Sequence, residues 1–225
     1  MSQEYAGTVK YAEEFPAKAS EKKRIYSFLK RSGDVAVSLT GMLILSPVFL
    51  LLAVLVYMDD PGPVLFAHQR VGKDGRKIRV WKFRSMRVDA DDIFEGFSKE
   101  QKEMFYRDFK LEEDPRITGI GNFLRKSSLD ELPQLFNILK GDLSLVGPRP
   151  VVEEELEKYG MYKKKFLSVK PGLTGYWQAN GRNLINYENG RKEMELYYID
   201  HQSIGLDLKI LAQTVFAVIK GRGAQ

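Results

Sequence analysis

The chain has 225 residues, with 35 lysines and arginines against 30 aspartates and glutamates, and it contains no cysteine. That length suits one domain, or a compact domain with a membrane anchor, and excludes two full-sized domains. Without cysteine there are no disulfides, thiol nucleophiles or Cys-rich zinc sites, and His68 and His201 lie too far apart in sequence to suggest a zinc centre.

Residues 1–33 are polar, with Ile25, Phe28 and Leu29 spaced for a lead-in helix at a membrane surface. From Val35 to Tyr57 the run VAVSLTGMLILSPVFLLLAVLVY carries no formal charge and is long enough for a hydrocarbon core. Lys18, Lys22, Lys23, Arg24, Lys30 and Arg31 precede it and Asp59 and Asp60 follow, which places the N-terminal side in the cytoplasm. Ser46-Pro47 interrupts the run near its middle. Proline removes a helical hydrogen bond and clashes with the Leu43 carbonyl, at about 3 kcal/mol. Each half is then roughly 15–18 Å long at 1.5 Å per residue, too short to span alone. A kinked span and a hairpin that enters and leaves on one face both remain. Ser46 can offset part of the break by bonding a carbonyl one turn back. The expected division is 1–33 N-terminal segment, 34–58 membrane hairpin and 59–225 catalytic domain.

After Pro61-Gly62-Pro63, VLFAHQ and IRVWKFRSM read as two strands about the Gly72-Lys73-Asp74-Gly75 turn. Arg70, Lys73, Arg76, Lys77, Arg79, Lys82, Arg84 and Arg87 make this stretch cationic, and beside an anchor such residues meet headgroups and phosphates. It matches no nucleic-acid-binding signature, so nucleic acid is excluded as a partner. Asp89 to Asp114 is acid-rich, holds a helical stretch around Phe97 to Phe109, and includes Asp89-Ala90-Asp91, a pattern used for metal binding by many glycosyltransferases. Farther on, Val151–Val169 reads as a helix, Pro171–Asn183 as a Gly-rich loop, and Ile185–Asp200 and Leu206–Lys220 as helices.

The densest chemistry lies in Arg125-Lys126-Ser127-Ser128-Leu129-Asp130-Glu131-Leu132-Pro133. Ser128 with Glu131 fits a capping box and Pro133 fits a helix start, which puts Asp130 and Glu131 near a helix N-terminus where carboxylates stay ionised and phosphate is attracted. An ionised carboxylate there can act as a nucleophile.

The run SSLDELPQLFNILKGDLSLVGPRP from Ser127 resembles the signature of the monotopic polyprenyl-phosphate phosphoglycosyl transferases, the bacterial sugar transferase family. KFRSM at 82–86, DPRITGIGNFLRK at 114–126 and VKPGLTGYWQANGRN at 169–183 resemble further family motifs in the same order. The resemblance implies an α+β, predominantly helical fold: a re-entrant helix-break-helix hairpin at Ser46-Pro47, a small β-hairpin, and a cytoplasmic globular domain with interfacial helices. It implies that Asp130 attacks the β-phosphate of a UDP-sugar, releases UMP and passes the sugar phosphate to undecaprenyl phosphate. By the same resemblance Glu131, with Asp130, positions Mg²⁺, while Lys82, Arg84, Arg125, Gly147, Arg149 and Arg182 bind phosphate, and Trp177 and Gln178 either face uridine or sugar or simply pack. The implied setting is the cytoplasmic face of a bacterial inner membrane, with lipid as a partner and a homodimer left open. A nucleotide-sugar donor in the cytoplasm favours the hairpin over a single crossing, which would separate the enzyme from it. Two rival readings stand beside this one: a metal-dependent glycosyltransferase that uses Asp89 and Asp91 and releases UDP, and a membrane adaptor without chemistry.

Overall fold

A computed structural model describes residues 21–108, 111, 113–181, 185–187 and 189–219. Helices α1 (Glu21–Ile44) and α2 (Ser46–Asp59) are separated by Leu45 and bend through 64°. Pro47 has no N–H for the Leu43 carbonyl, and Ser46 Oγ donates to that same carbonyl at 2.8 Å, so the side chain replaces the lost backbone bond. Among the described residues no single helix is long and apolar enough to cross a membrane, whereas the bent pair together has the length and composition. Helix α1 runs unbroken through residues 33 and 34, so the polar lead-in and the first apolar half form one rod.

The pair is two-faced. Val37, Leu43, Ile44, Leu50, Leu51 and Met58 are exposed, while Leu52 and Val56 are buried against Phe83 and Leu124. Polar contacts fasten both ends of the pair to the domain. On α1, the Arg31 guanidinium donates to the carbonyls of Ile138 and Leu139 at 2.6 and 2.7 Å, and Asp34 Oδ1 accepts from Ser144 Oγ and the Leu145 N–H at 3.1 and 2.9 Å. Asp59, the last residue of α2, accepts the Ile120 N–H at 2.9 Å, and Asp60, just beyond it, accepts the Val88 N–H at 2.8 Å and pairs with Arg84.

Strands β1 (Leu65–Val71) and β2 (Lys77–Phe83) form the expected antiparallel hairpin, with Leu65 opposite Phe83 and Val71 opposite Lys77. Alternation buries Ile78 and Val80 and leaves Lys77 and Arg79 outside. Asn137 closes the outer edge of β2: its Oδ1 accepts from the Trp81 N–H at 2.9 Å and its Nδ2 donates to the Arg79 carbonyl at 2.7 Å. Helices α3 (Ala90–Glu95) and α4 (Lys99–Asp108) carry Phe94 and Phe105, with Phe97 between them, and over these rings the Arg116 guanidinium sits at 4.8–5.4 Å while pairing with Asp114.

Helix α5 (Gly119–Ser127), a 3₁₀ turn (Leu129–Glu131), α6 (Gln134–Lys140) and β3 (Ser144–Val146) follow. Strand β3 pairs in parallel with β4 (Gly172–Thr174), Ser144 opposite Gly172. Between them the single helix expected over Val151–Val169 is instead α7 (Glu153–Leu156), a 3₁₀ stretch and α8 (Lys163–Phe166), because Gly160 takes φ 51° and stops propagation. The expected loop after Pro171 holds β4 and α9 (Tyr176–Asn180), and the next helix, α10 (Arg191–Asp200), starts only after Gly190 at φ 124°. Helix α11 (Ile204–Ile219) ends the described chain, with Ile210 in the core and Leu208, Val215 and Phe216 outside. The main core joins Ile78 and Val80 of β2 to Leu135 and Ile138 of α6, Leu145 and Val146 of β3, Tyr198 and Ile210. The architecture is α+β and mostly helical, as read from the sequence.

Candidate active site

Ser128 lies in the left-handed region at φ 58° and terminates α5, so it cannot also be the extended N-cap of a following helix. The expected capping box is not formed. Asp130 and Glu131 sit instead on the 3₁₀ turn between α5 and α6. Leu129 and Leu132, packed into the cluster around Leu124 and Phe83, flank the two acids and hold the turn.

Asp130 is buried, and Lys82 Nζ lies 3.3 Å from its Oδ2 and 2.7 Å from Glu131 Oε1. Arg149 Nη1 stands 3.9 Å from the same Glu131 oxygen. Burial pushes the Asp130 carboxyl above the usual carboxylate range; Lys82 opposes this, Glu131 adds to it, and Arg125 pulls it back down. Arg125 is itself steadied by Ser85 Oγ, which accepts from its Nε at 2.9 Å. Lys82, Arg125 and Arg149 therefore converge on the carboxylate pair.

Beside the pair lies a half-open cleft, lined among others by His68, Arg70, Lys82, Glu131, Gln134 and Arg149. Nothing in the sequence marks His68 or Gln134 as a site residue, and Arg70 shows there only as one of a cationic run, although the period of two along β1 puts His68 and Arg70 on one face. His68 Nδ1 lies 3.1 Å from Arg70 Nη2 and must accept, since guanidinium only donates, which leaves the proton on Nε2. Burial, with Arg70 and Lys82 nearby, lowers its pKa to about 4, so at neutral pH it is an uncharged donor.

Other expected residues have different partners. Arg84 is buried against Asp60, away from the pair, and ties the hairpin to the end of α2. Gly147 offers no free amide to phosphate: its N–H donates to the Thr174 carbonyl at 2.8 Å. A Cβ there would meet the Lys170 carbonyl at 2.5 Å and the Gly172 nitrogen at 2.7 Å, so its place in the chain follows from backbone crowding. Trp177 is buried, donating from Nε1 to the Ile185 carbonyl at 2.6 Å, and packs instead of facing a ligand. Arg182 lies outside the described residues. Asp89 is exposed and paired with Arg87 at 2.9 Å, and neither it nor Asp91 lines the cleft.

Among the described residues no group of three or more His, Cys, Asp or Glu is placed to hold a metal by itself. Mg²⁺, however, is commonly held by one or two carboxylates together with water and substrate phosphates. Asp130 and Glu131 already share one cation, the Lys82 ammonium, so the pair fits an ion of that kind once a phosphate is present.

Glu131 of the pair thus faces a cleft that Arg70, Lys82 and Arg149 make cationic, an arrangement that can hold anionic groups such as phosphates. The chain belongs to the bacterial sugar transferase family, whose model matches residues 25–221. It is 44% identical over 88% of its length to the UDP-galactose-lipid carrier transferase of Erwinia amylovora, and 42% identical over 90% to the undecaprenyl-phosphate galactose phosphotransferase of Salmonella typhimurium. It covers only 42% and 43% of those two proteins. With the exopolysaccharide production protein ExoY of Sinorhizobium fredii it shares 42% identity over 87% of both chains.

Proposed function

We propose that the chain transfers a sugar 1-phosphate from a UDP-sugar to undecaprenyl phosphate, releasing UMP, as the first step of exopolysaccharide or capsule assembly on the cytoplasmic face of the inner membrane. The observation that carries this reading is the buried Asp130 held by Lys82, which with the adjacent Glu131 lines a cationic cleft. Asp130 Oδ attacks the β-phosphorus of the donor, an O–P bond forms, and the bond from that phosphorus to the UMP oxygen breaks. An oxygen of undecaprenyl phosphate then attacks the same phosphorus and releases the carboxylate. Lys82, Arg125 and Arg149 offset the charge gathering on the phosphoryl oxygens. Mg²⁺, when bound at Asp130 and Glu131, supplies further neutralisation of phosphate charge.

A re-entrant anchor fits this reading for a mechanical reason. Lys30, Arg31 and Asp34 before the bend and Asp59 and Asp60 after it bond to one domain, which could not hold both if a hydrocarbon layer of about 30 Å lay between them. The relatives' names support the lipid acceptor and a UDP-linked donor.

The test is nucleotide release by protein in nanodiscs supplied with Mg²⁺, undecaprenyl phosphate and a panel of UDP-sugars. Wild type is expected to release UMP with one donor, and Asp130→Asn to lower the rate at least about 10³-fold. Release of UDP, or UMP release untouched by the substitution, would defeat the aspartyl route and return Asp89 and Asp91 to consideration. No nucleotide release with any donor would favour the adaptor reading.

A further inference from the structure

Behind the turn Gly147–Pro150, α10 carries an acid that the reaction above does not use. Glu195 is completely buried; its Oε1 accepts the backbone N–H of Arg149 at 3.2 Å, and its Oε2 is buried with no hydrogen-bond partner. One turn earlier on the same helix, Arg191 pairs with Glu155 at 2.9 Å, its guanidinium 4.2 Å from the Trp177 ring and 4.1 Å from the Tyr187 ring. Glu155 also accepts from the Tyr187 hydroxyl at 2.8 Å and reaches Arg70 at 3.6 Å. Arg70 thus pairs with the buried Glu155, and Arg149 is held through its backbone N–H by the buried Glu195.

An apolar side chain would fill the place of Glu195 without the cost of taking a carboxyl out of water. What it could not supply is an acceptor. Pro148 and Pro150 have no N–H, and the Gly147 N–H is engaged with Thr174. The Arg149 N–H is therefore the one backbone donor of the turn left to be anchored, and Glu195 anchors it.

We infer that Glu195 is a positioning residue: by holding the Arg149 amide it fixes the turn from which the Arg149 guanidinium reaches Glu131 and the donor phosphate. The kinetic consequence rests on the proposed transferase reaction; the structural consequence does not.

Two conservative variants separate reach from charge. Glu195→Gln keeps the reach and an acceptor oxygen but loses the charge, whereas Glu195→Asp keeps the charge and withdraws the oxygen by about 1.5 Å, one carbon–carbon bond. In the full chain in nanodiscs, amide hydrogen exchange in the segment 147–151 is expected to stay at the wild-type rate in the Gln variant and to speed up at least about tenfold in the Asp variant. The kcat for UMP release should fall at least about tenfold in the Asp variant, with KM nearly unchanged, and less than about threefold in the Gln variant. In an Arg149→Ala background the Asp substitution should cost less than about twofold more, because its effect passes through Arg149. The opposite ranking, Gln impaired and Asp intact, would show that the network needs the charge and would overturn the inference, as would equal losses with and without Arg149. Failure of wild type to release UMP would sink the proposed reaction alone, and the exchange ranking would still decide the role of Glu195.

Discussion

At Gly147 a hydrogen atom stands where any other side chain would press on the backbone of Lys170 and Gly172. Gly147→Ala is expected to destabilise by about 2 kcal/mol, the usual scale of overpacking, and to lower Tm by roughly 4–8 °C in a thermal melt. An unchanged Tm would mean that β3 and β4 can part without cost. The glycine's motif points to phosphate, but the letter alone does not say whether its amide is free. The same limit applies to Arg84: a guanidinium in a cationic run reads as a phosphate clamp until Asp60, 24 positions away, is seen to hold it. Lys82, Arg125 and Arg149, by contrast, do gather at the carboxylate pair. Arg70 was legible only as one cation of a run, while His68 and Glu195 were illegible because strand packing and burial bring them to the site.

Elements with a local cause were the legible ones. Pro47 breaks its helix and the Gly72–Gly75 turn reverses its strands regardless of what packs on them. Ser128 deceived because the preceding helix claims it first, and the Val151–Val169 segment because its charges suit a helix while Gly160 alone interrupts it. The bent pair also yields a topological prediction. The chain has no cysteine, so Lys23→Cys and Lys77→Cys each introduce a single thiol, one on either side of the pair. In intact cells neither is expected to react with a membrane-impermeant maleimide, and after lysis both should. Labelling of one position from outside would make the pair a crossing.

Across the whole molecule the buried network makes stability depend on pH. Burial raises the Glu195 carboxyl from 4.5 to about 7 against the pull of Arg191, so the folded chain holds this proton more tightly than the unfolded one. The associated stabilisation is complete below about pH 4.5 and is lost as pH rises through about 7, where the folded state must bury the charge. Glu195→Gln has no charge to bury; its Tm relative to wild type should therefore rise between about pH 5 and pH 8. A difference that stays flat across that range would show that Glu195 does not titrate there. A second buried acid acts through time instead of pH. Asp34 finds its partners at Ser144 and Leu145, some 110 residues later in the chain. Until β3 is in place, neither of these donors is there for the carboxylate to accept from, so this link between α1 and the core cannot form by local folding. With β3 in place, the same acid becomes the strap that holds the rod to the core.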